Sequence, residues 1–248
     1  ANNFTVRFAN TDYYRLENLT IENTGTSYGR VLDFTGGSDN NIVKGCRLIS
    51  PAVNSTSNNL APVCSTGGID NNNLFKNNLM QGGGYGLYWY GGSLASPEVG
   101  NTFEGNKFMN SYYMGTYFYY NNNLTFKGNE IAGISAYTSR YALYCIYVNG
   151  VSEISNNNIH GEVTSGWLYG MYLSNSGGTN ANRAKIHNNM IQVGATTTSA
   201  GTLYGMYLTN AGYFNIYHNS VLANSGGASS RAFYASGGGA TEVLNNTK

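Results

Sequence analysis

One short phrase, repeated at a near-constant interval, constrains this chain more than any other feature. Its form is apolar, any residue, small or polar, Asn, any residue, apolar. It stands at Phe75–Met80 around Asn78, Phe103–Phe108 around Asn106, Phe126–Ile131 around Asn129 and Ile154–Ile159 around Asn157. It returns at Ile186–Ile191 around Asn189, at Ile216–Val221 around Asn219 and, truncated, at Val243–Lys248 around Asn246. Val43–Leu48 fits as well, with Cys46 in the Asn place. From Cys46 onward the successive intervals are 32, 28, 23, 28, 32, 30 and 27 residues. Self-similarity at such a period decides the architecture before local propensity does.

Each later unit has a second recurring half, a short strand of the form small, apolar, Tyr, apolar. Its copies are Gly86–Trp89, Gly115–Phe118, Ala142–Cys145, Gly170–Leu173, Gly205–Leu208 and Ala232–Ala235. Loops rich in Gly, Ser, Asn and Thr separate the halves, as at 174–182, 194–202 and 224–230. These segments are too short and too alternating for helices. A unit of roughly 28 residues cannot close a core alone, but units stacked strand on strand can. The expectation is an all-β chain, a parallel β-helix of about eight to nine coils spaced about 4.8 Å apart.

Two stretches break the rhythm. Residues 13–24 read as one alternating strand ending in a turn, with Leu16, Leu19 and Ile21 as its apolar set. Residues 50–66 read as a polar loop excursion from one corner. Pro51, Pro62 and Pro97 all fall between repeats, where a missing N–H costs least. Residues 1–248 are expected to form a single solenoid domain. Both ends look like cuts through a repeat, so the chain reads as a segment of a longer protein. Its open strand edges are expected to meet further coils, another domain or a partner chain.

The Asn of the phrase belongs at a corner, where left-handed backbone is cheap for Asn. Repeated once per coil, its carboxamide can donate to one neighbour and accept from the other. Asn78, Asn106, Asn129, Asn157, Asn189, Asn219 and Asn246 then form a structural ladder; the plainer alternative is that Asn merely marks turns.

Phrase and period together resemble the repeats of the right-handed, pectate-lyase-like β-helix superfamily of secreted bacterial proteins, from about residue 13 to 248. The resemblance implies a right-handed coil. It leaves function open, because that superfamily holds lyases, hydrolases, epimerases, phage tailspikes and adhesins. Its enzymes carry clustered acids, often with Ca²⁺, Arg or Lys, on one sheet face. Here the Asp residues are Asp12, Asp33, Asp39 and Asp70, and only Asp33 and Asp70 suggest neighbouring coils. Glu153 and Glu242 share a place in the phrase three coils apart, about 14 Å by stacking and too far for a catalytic pair. His160, His187 and His218 occupy three different places and form no column. The sequence offers no catalytic constellation, no metal site and no cofactor motif.

Only 10% of residues are charged and the net charge is +1, with no basic run to track a phosphate backbone. Nucleic acid is excluded as a partner on that ground. No apolar run reaches the ~18 residues of a membrane span. Sparse charge with abundant Asn, Gly, Ser and Thr points to a secreted or cell-surface location. For the three cysteines, one reading is an oxidised Cys46–Cys64 bridge with Cys145 a small core residue. The other is three buried free thiols.

Strand parity sends Met171 and Leu173 to one face and Tyr172 to the other, and likewise Met206 and Leu208 against Tyr207. Tyr88, Tyr117, Tyr144, Tyr172, Tyr207 and Tyr234 then line up as an outward stripe, one per coil. Flat apolar rings rimmed by hydroxyls suit the stacking of sugars. The competing explanations are cross-strand packing between tyrosines and an inverted parity that buries them. The leading functional expectation is a non-catalytic structural or adhesive segment of a large secreted or surface protein, its stripe holding polysaccharide or cell-surface glycan. The alternative is a polysaccharide lyase or glycoside hydrolase, with its site near 50–66 or around Asp33 and Asp70.

Overall fold

A computed structural model describes residues 4–66, 68–135, 139–163, 166–194, 201–224 and 229–246. The described residues contain no helix; they form three parallel sheets of ten, nine and nine strands, a solenoid of about eight turns. In one middle turn the strands are Trp167–Ser174 in the first sheet, Ala184–His187 in the second and Met190–Val193 in the third. Partners lie one turn away. Ile186 sits between Ile154 and Ile216 in the second sheet, and Ile191 between Ile159 and Val221 in the third. Most of the loops at 194–202 and 224–230 lie outside the described residues.

The phrase folds this way because its first and last apolar positions point inward from the second and third sheets, with the corner between them. Phe75, Phe103, Phe126, Ile154 and Ile186 are buried from the second sheet, and Met80, Phe108, Ile131, Ile159 and Ile191 from the third. Leu87, Leu143, Met171 and Met206 close the core from the first sheet. Aromatic residues fill the early turns, where Phe8 stacks on Phe34 at 4.4 Å and Phe75 on Phe103 at 4.9 Å. Burial of each such ring contributes about 1.5–3 kcal/mol.

At the corner the left-handed position is not the Asn of the phrase but the residue before it. Asn77, Gly105, Gly128, Asn156 and Asn188 have φ between 55° and 66°. That turn aims the following Asn into the interior, where Asn78, Asn106, Asn129, Asn157, Asn189 and Asn219 are buried. Each of these carboxamide nitrogens donates to the Oδ1 one turn on, at 2.9–3.1 Å from Asn78 through to Asn246. Each also donates to a carbonyl of the preceding turn, as Asn157 does to Phe126 at 3.0 Å. A second, shorter column lies at the corner between the first and second sheets. Its Asn41, Asn73 and Asn101 accept backbone N–H groups one turn back, each at 2.9 Å. These residues stand five positions before Cys46, Asn78 and Asn106, a spacing visible in the sequence.

Three local expectations are corrected. Residues 13–24 are two strands, Arg15–Glu17 and Thr20–Glu22, folded at left-handed Asn18. They are a further copy of the phrase with Leu19 in the Asn place. The excursion is shorter than 50–66, because Val63–Ser65 is a strand of the first sheet, opposite Leu32–Phe34. The Cys46–Cys64 bridge is not formed: both are buried free thiols, as is Cys145. Cys46 stays at its corner, with Sγ 3.4 Å from the Lys44 carbonyl oxygen, while Cys64 belongs to the outer side of the first sheet.

Candidate functional site

The outer face of the first sheet is paved with tyrosine. Register aligns Arg7, Asp33, Cys64, Tyr88, Tyr117, Tyr144, Tyr172, Tyr207 and Tyr234 in one column, one residue per turn. Thus the structure places all six stripe tyrosines together on the outward side, half-buried except for the more exposed Tyr234.

A second column escaped the sequence reading. Tyr85, Met114, Tyr141, Tyr169, Tyr204 and Arg231 run beside the first, three residues earlier in each strand. In a plain pleat, residues three apart face opposite sides. Here the burial pattern of Trp167–Ser174 loses its alternation at Gly170 and Met171, which are buried in succession. A Cβ on Gly170 would lie 2.6 Å from Ile191 Cγ2, and one on Gly205 2.2 Å from Val221 Cγ1. The first sheet presses so closely on the third that only a small residue fits. The strand bends there and turns both tyrosines outward. The signal was present as Tyr-Gly/Ala-Leu/Met-Tyr at residues 85–88, 141–144, 169–172 and 204–207.

Within each column the rings stack on one another. Tyr88–Tyr117, Tyr117–Tyr144, Tyr144–Tyr172, Tyr172–Tyr207 and Tyr207–Tyr234 have centroids 4.7–5.3 Å apart and planes within 20°. Between columns they meet edge to face, as Tyr169–Tyr172 do at 5.4 Å and 85°. The expectation of free flat faces is therefore corrected: ring faces are turned to neighbouring rings. Burial, reinforced by adjacent phenols, pushes Tyr144 and Tyr169 up to about 12 and raises Tyr85, Tyr117 and Tyr141 as well. Every one of these phenols remains neutral at physiological pH, able to donate and to accept.

Charge enters this face at its ends. Asp33 is clamped by Arg7 Nε at 2.7 Å and Arg30 Nη1 at 2.8 Å, while Arg30 Nη2 donates to Asn59 Oδ1 of the excursion at 3.0 Å. Arg231 lies at the far end of the second column. Burial also drives the Cys64 thiol up to about 12, which leaves it inert.

Among the described residues Asp33 and Asp70 share no hydrogen-bonding partner. Asp70 is fully buried with Glu98, and the Ser65 hydroxyl bridges them, 2.7 Å from Asp70 Oδ2 and 2.9 Å from Glu98 Oε1. A hydroxyl has one proton to donate, so one carboxyl must supply another. Burial raises both carboxyls, and the neighbouring Asp70 charge adds to the rise at Glu98. A pair with no solvent contact cannot meet a polymer chain. Glu153 and Glu242 stand in one column with Lys185 and Asn215 between them. His187 pairs with Glu153 at 3.3 Å and stacks on Tyr217, and His160 pairs with Glu130 at 3.2 Å. Among the described residues no group of three or more His, Cys, Asp or Glu side chains converges to hold a metal.

Comparison with known proteins places the chain. The model of the right handed beta helix region matches residues 64–247, more than half of the sequence, and the chain belongs to that family. A search of curated proteins finds no match. Among solved structures the chain is similar to PfbA, a surface adhesin of Streptococcus pneumoniae, at 11% identity and a TM-score of 0.60. That alignment covers 97% of this chain and 60% of the adhesin, so the chain spans under two thirds of its neighbour. Another structure of PfbA aligns at 10% identity over 94% of this chain and 67% of that one, with a TM-score of 0.34. At these identities the likeness concerns the fold.

Proposed function

We propose that this chain is a non-catalytic, adhesive β-helix segment of a secreted or cell-surface protein, and that it holds neutral polysaccharide along its tyrosine surface. One observation carries the reading: an uncharged field of phenol hydroxyls repeats at the coil spacing along two adjacent columns. An extended β-linked glycan advances by about one ring length per sugar, close to that spacing, so successive hydroxyls can meet successive phenols. Hydrogen bonds and contacts with ring edges take the place of stacking on ring faces. The fold shared with a surface adhesin supports the reading, and so does the burial or clamping of the acids that a lyase or hydrolase would use. The Asn78–Asn246 column acts, on this proposal, as an asparagine ladder that keeps the coils in register beneath the surface.

The test is a glycan array and a depolymerisation assay on the wild type beside a Tyr172→Ala/Tyr207→Ala double variant. Binding that disappears in the variant, with no fragments released by either protein, is the expected result. Release of unsaturated or reducing ends by the wild type overturns the non-catalytic reading.

A further inference from the structure

At the end of the first sheet's strands, one surface column changes character along the axis. In five successive turns its left-handed position is held by Tyr120, Tyr147, Asn175, Asn210 and Gly237, with φ between 47° and 64°. Tyr120 and Tyr147 stack at 5.2 Å and raise the surface. Beyond them the side chains shrink, and the neighbouring column shrinks in step from Asn149 to Gly177 and Gly212. A Cβ on Gly177 would fall 1.8 Å from the Gly212 carbonyl oxygen, so this column has no room for larger residues. The result is an open hollow of about 310 Å³.

Its walls carry chemistry as well as space. Asn149, Asn175, Ser176, Asn210 and Tyr213 line it, and no charged residue does. At the second and third sheets' corner the carboxamides are consumed by the backbone; here they are not. Among the described residues the Asn149 and Asn210 carboxamides make no hydrogen bond to protein, and Asn175 gives one N–H to Ser174 Oγ at 3.0 Å. Tyr213 differs from the column tyrosines in the same sense. It is 36% exposed, and among the described residues no other aromatic ring covers it. Gly239, which has no side chain, lies against one part of its ring.

A bare aromatic face beside several uncommitted carboxamides, in an uncharged hollow, matches the chemistry of a pyranose: apolar C–H groups on one face, vicinal hydroxyls at the rim. We infer that this hollow is a saccharide subsite for a neutral sugar unit, with Tyr213 as its platform and Asn149, Asn175 and Asn210 as hydroxyl-reading groups. The inference rests on the carbohydrate reading of the tyrosine surface, and it locates a place beside that surface where a ring can be stacked as well as hydrogen-bonded. Tyr172 and Tyr207 lie three residues before Asn175 and Asn210, which directly follow the same strands, so a chain seated in the hollow continues onto the paved face.

Saturation-transfer NMR and affinity titration with cellohexaose, mannohexaose, chitohexaose and, as the anionic comparison, hexagalacturonate test this on the whole chain. Tyr213→Ala removes the platform and Tyr213→Phe keeps it. Asn175→Tyr fills the hollow by extending the Tyr120–Tyr147 stack, with a residue type that the column already accepts. Circular dichroism melts establish that each variant is folded. The expected result is that a neutral hexasaccharide binds, weakens at least tenfold in Tyr213→Ala and Asn175→Tyr, and is retained by Tyr213→Phe. Wild-type affinity in both hollow-altering variants overturns the subsite; loss in Tyr172→Ala/Tyr207→Ala alone then leaves the surface reading standing. Loss in the hollow variants with full binding by that double variant supports the subsite and removes the surface. Preference for hexagalacturonate overturns the assignment to neutral sugars, and no binding of any probe to wild type overturns both readings.

Discussion

The corner between the second and third sheets and the outer face of the first repeat once per turn under the same helical constraint, yet they use opposite chemistry. At the corner, carboxamides are buried, point inward and use their hydrogen-bonding capacity on protein. On the face, phenols point outward and satisfy their ring faces on one another. Buried polar groups must be matched, since an orphaned one costs about 1–3 kcal/mol. Exposed groups carry no such obligation, which leaves them available to a ligand. On the proposed function, the inner column fixes structure and the outer one serves recognition. Substitutions in the two should fail in different ways.

The largest effect is expected at Asn157. Its Nδ2 donates to Phe126 and Asn189, and its Oδ1 accepts from the backbone and side chain of Asn129. Asn157→Ala leaves partners on both sides unmatched, and a loss of about 2–4 kcal/mol follows. For a chain of this size the melting temperature should fall by roughly 2–4 °C per kcal/mol. Differential scanning calorimetry checks it, and a variant that melts with the wild type would reduce the column to a mere marker of turns.

Tyr172→Ala is the counterpart on the face. It removes two stacked contacts, with Tyr144 and Tyr207, and edge contacts with Tyr141 and Tyr169. At about 0.5–1.5 kcal/mol for a favourable aromatic pair, partly recovered by rearrangement, the loss should be about 1–2 kcal/mol. Glycan binding should suffer more than stability does. A loss of stability equal to that of Asn157→Ala would erase the distinction between the two columns and make the face structural.

These columns were unequally legible. Asn78 to Asn246 could be aligned because one residue type recurs at one place in a six-residue phrase. The parity of Tyr172 against Met171 and Leu173 was readable because period two holds locally. What parity hid was Tyr169: its outward turn depends on the bend at Gly170, forced by Ile191 in another sheet, and no local rule contains that contact. Leu19 and Cys64 were missed for a related reason. Each stands where the repeat uses another residue type, so register alone reveals its place. The Asn175 hollow was invisible because it is made by what is missing relative to Tyr147 one turn away.

The acidic pair sharpens the rule for inward groups by breaking it. Ser65 faces inward between Phe34 and Trp89, and it meets carboxyls where the corner columns supply carboxamides. Burial raises both acids, so the folded chain keeps a proton that the unfolded chain releases. The stability from this pair is whole below the ordinary carboxylate range near pH 4 and declines as pH rises through the raised folded values. Glu98→Gln imitates the protonated acid. Its melting temperature should exceed that of the wild type by a few degrees at pH 8, with no gain at pH 4. Glu130 and Glu153 give the opposite sign. Lys107 and His160 lower the first, and the Ser155 hydroxyl with His187 lowers the second, so their contribution fades as pH falls below the unfolded value. A gain from Glu98→Gln that is the same at both pH values would show that the proton is not what holds Asp70 and Glu98 together.

The smallest effect is expected where the inner column stops. Cys46 sits in the Asn place, donates its backbone N–H to Asn78 Oδ1 at 2.9 Å and has Sγ 3.6 Å from the Leu16 carbonyl oxygen. A thiol is a weak donor, so that carbonyl and one lone pair of Asn78 Oδ1 are under-used. Cys46→Asn should place Nδ2 between them, as Asn78 does between Val43 and Asn106. The added bonds should stabilise by about 0.5–1.5 kcal/mol, a rise of a few degrees at most. The same substitution at Leu19, one turn earlier, should bring nothing, because Leu19 is exposed and its side chain has no dry interior in which a carboxamide must be matched. A gain at Leu19 equal to that at Cys46 would mean that Asn stabilises the turn itself, and that burial of the column is incidental to its strength.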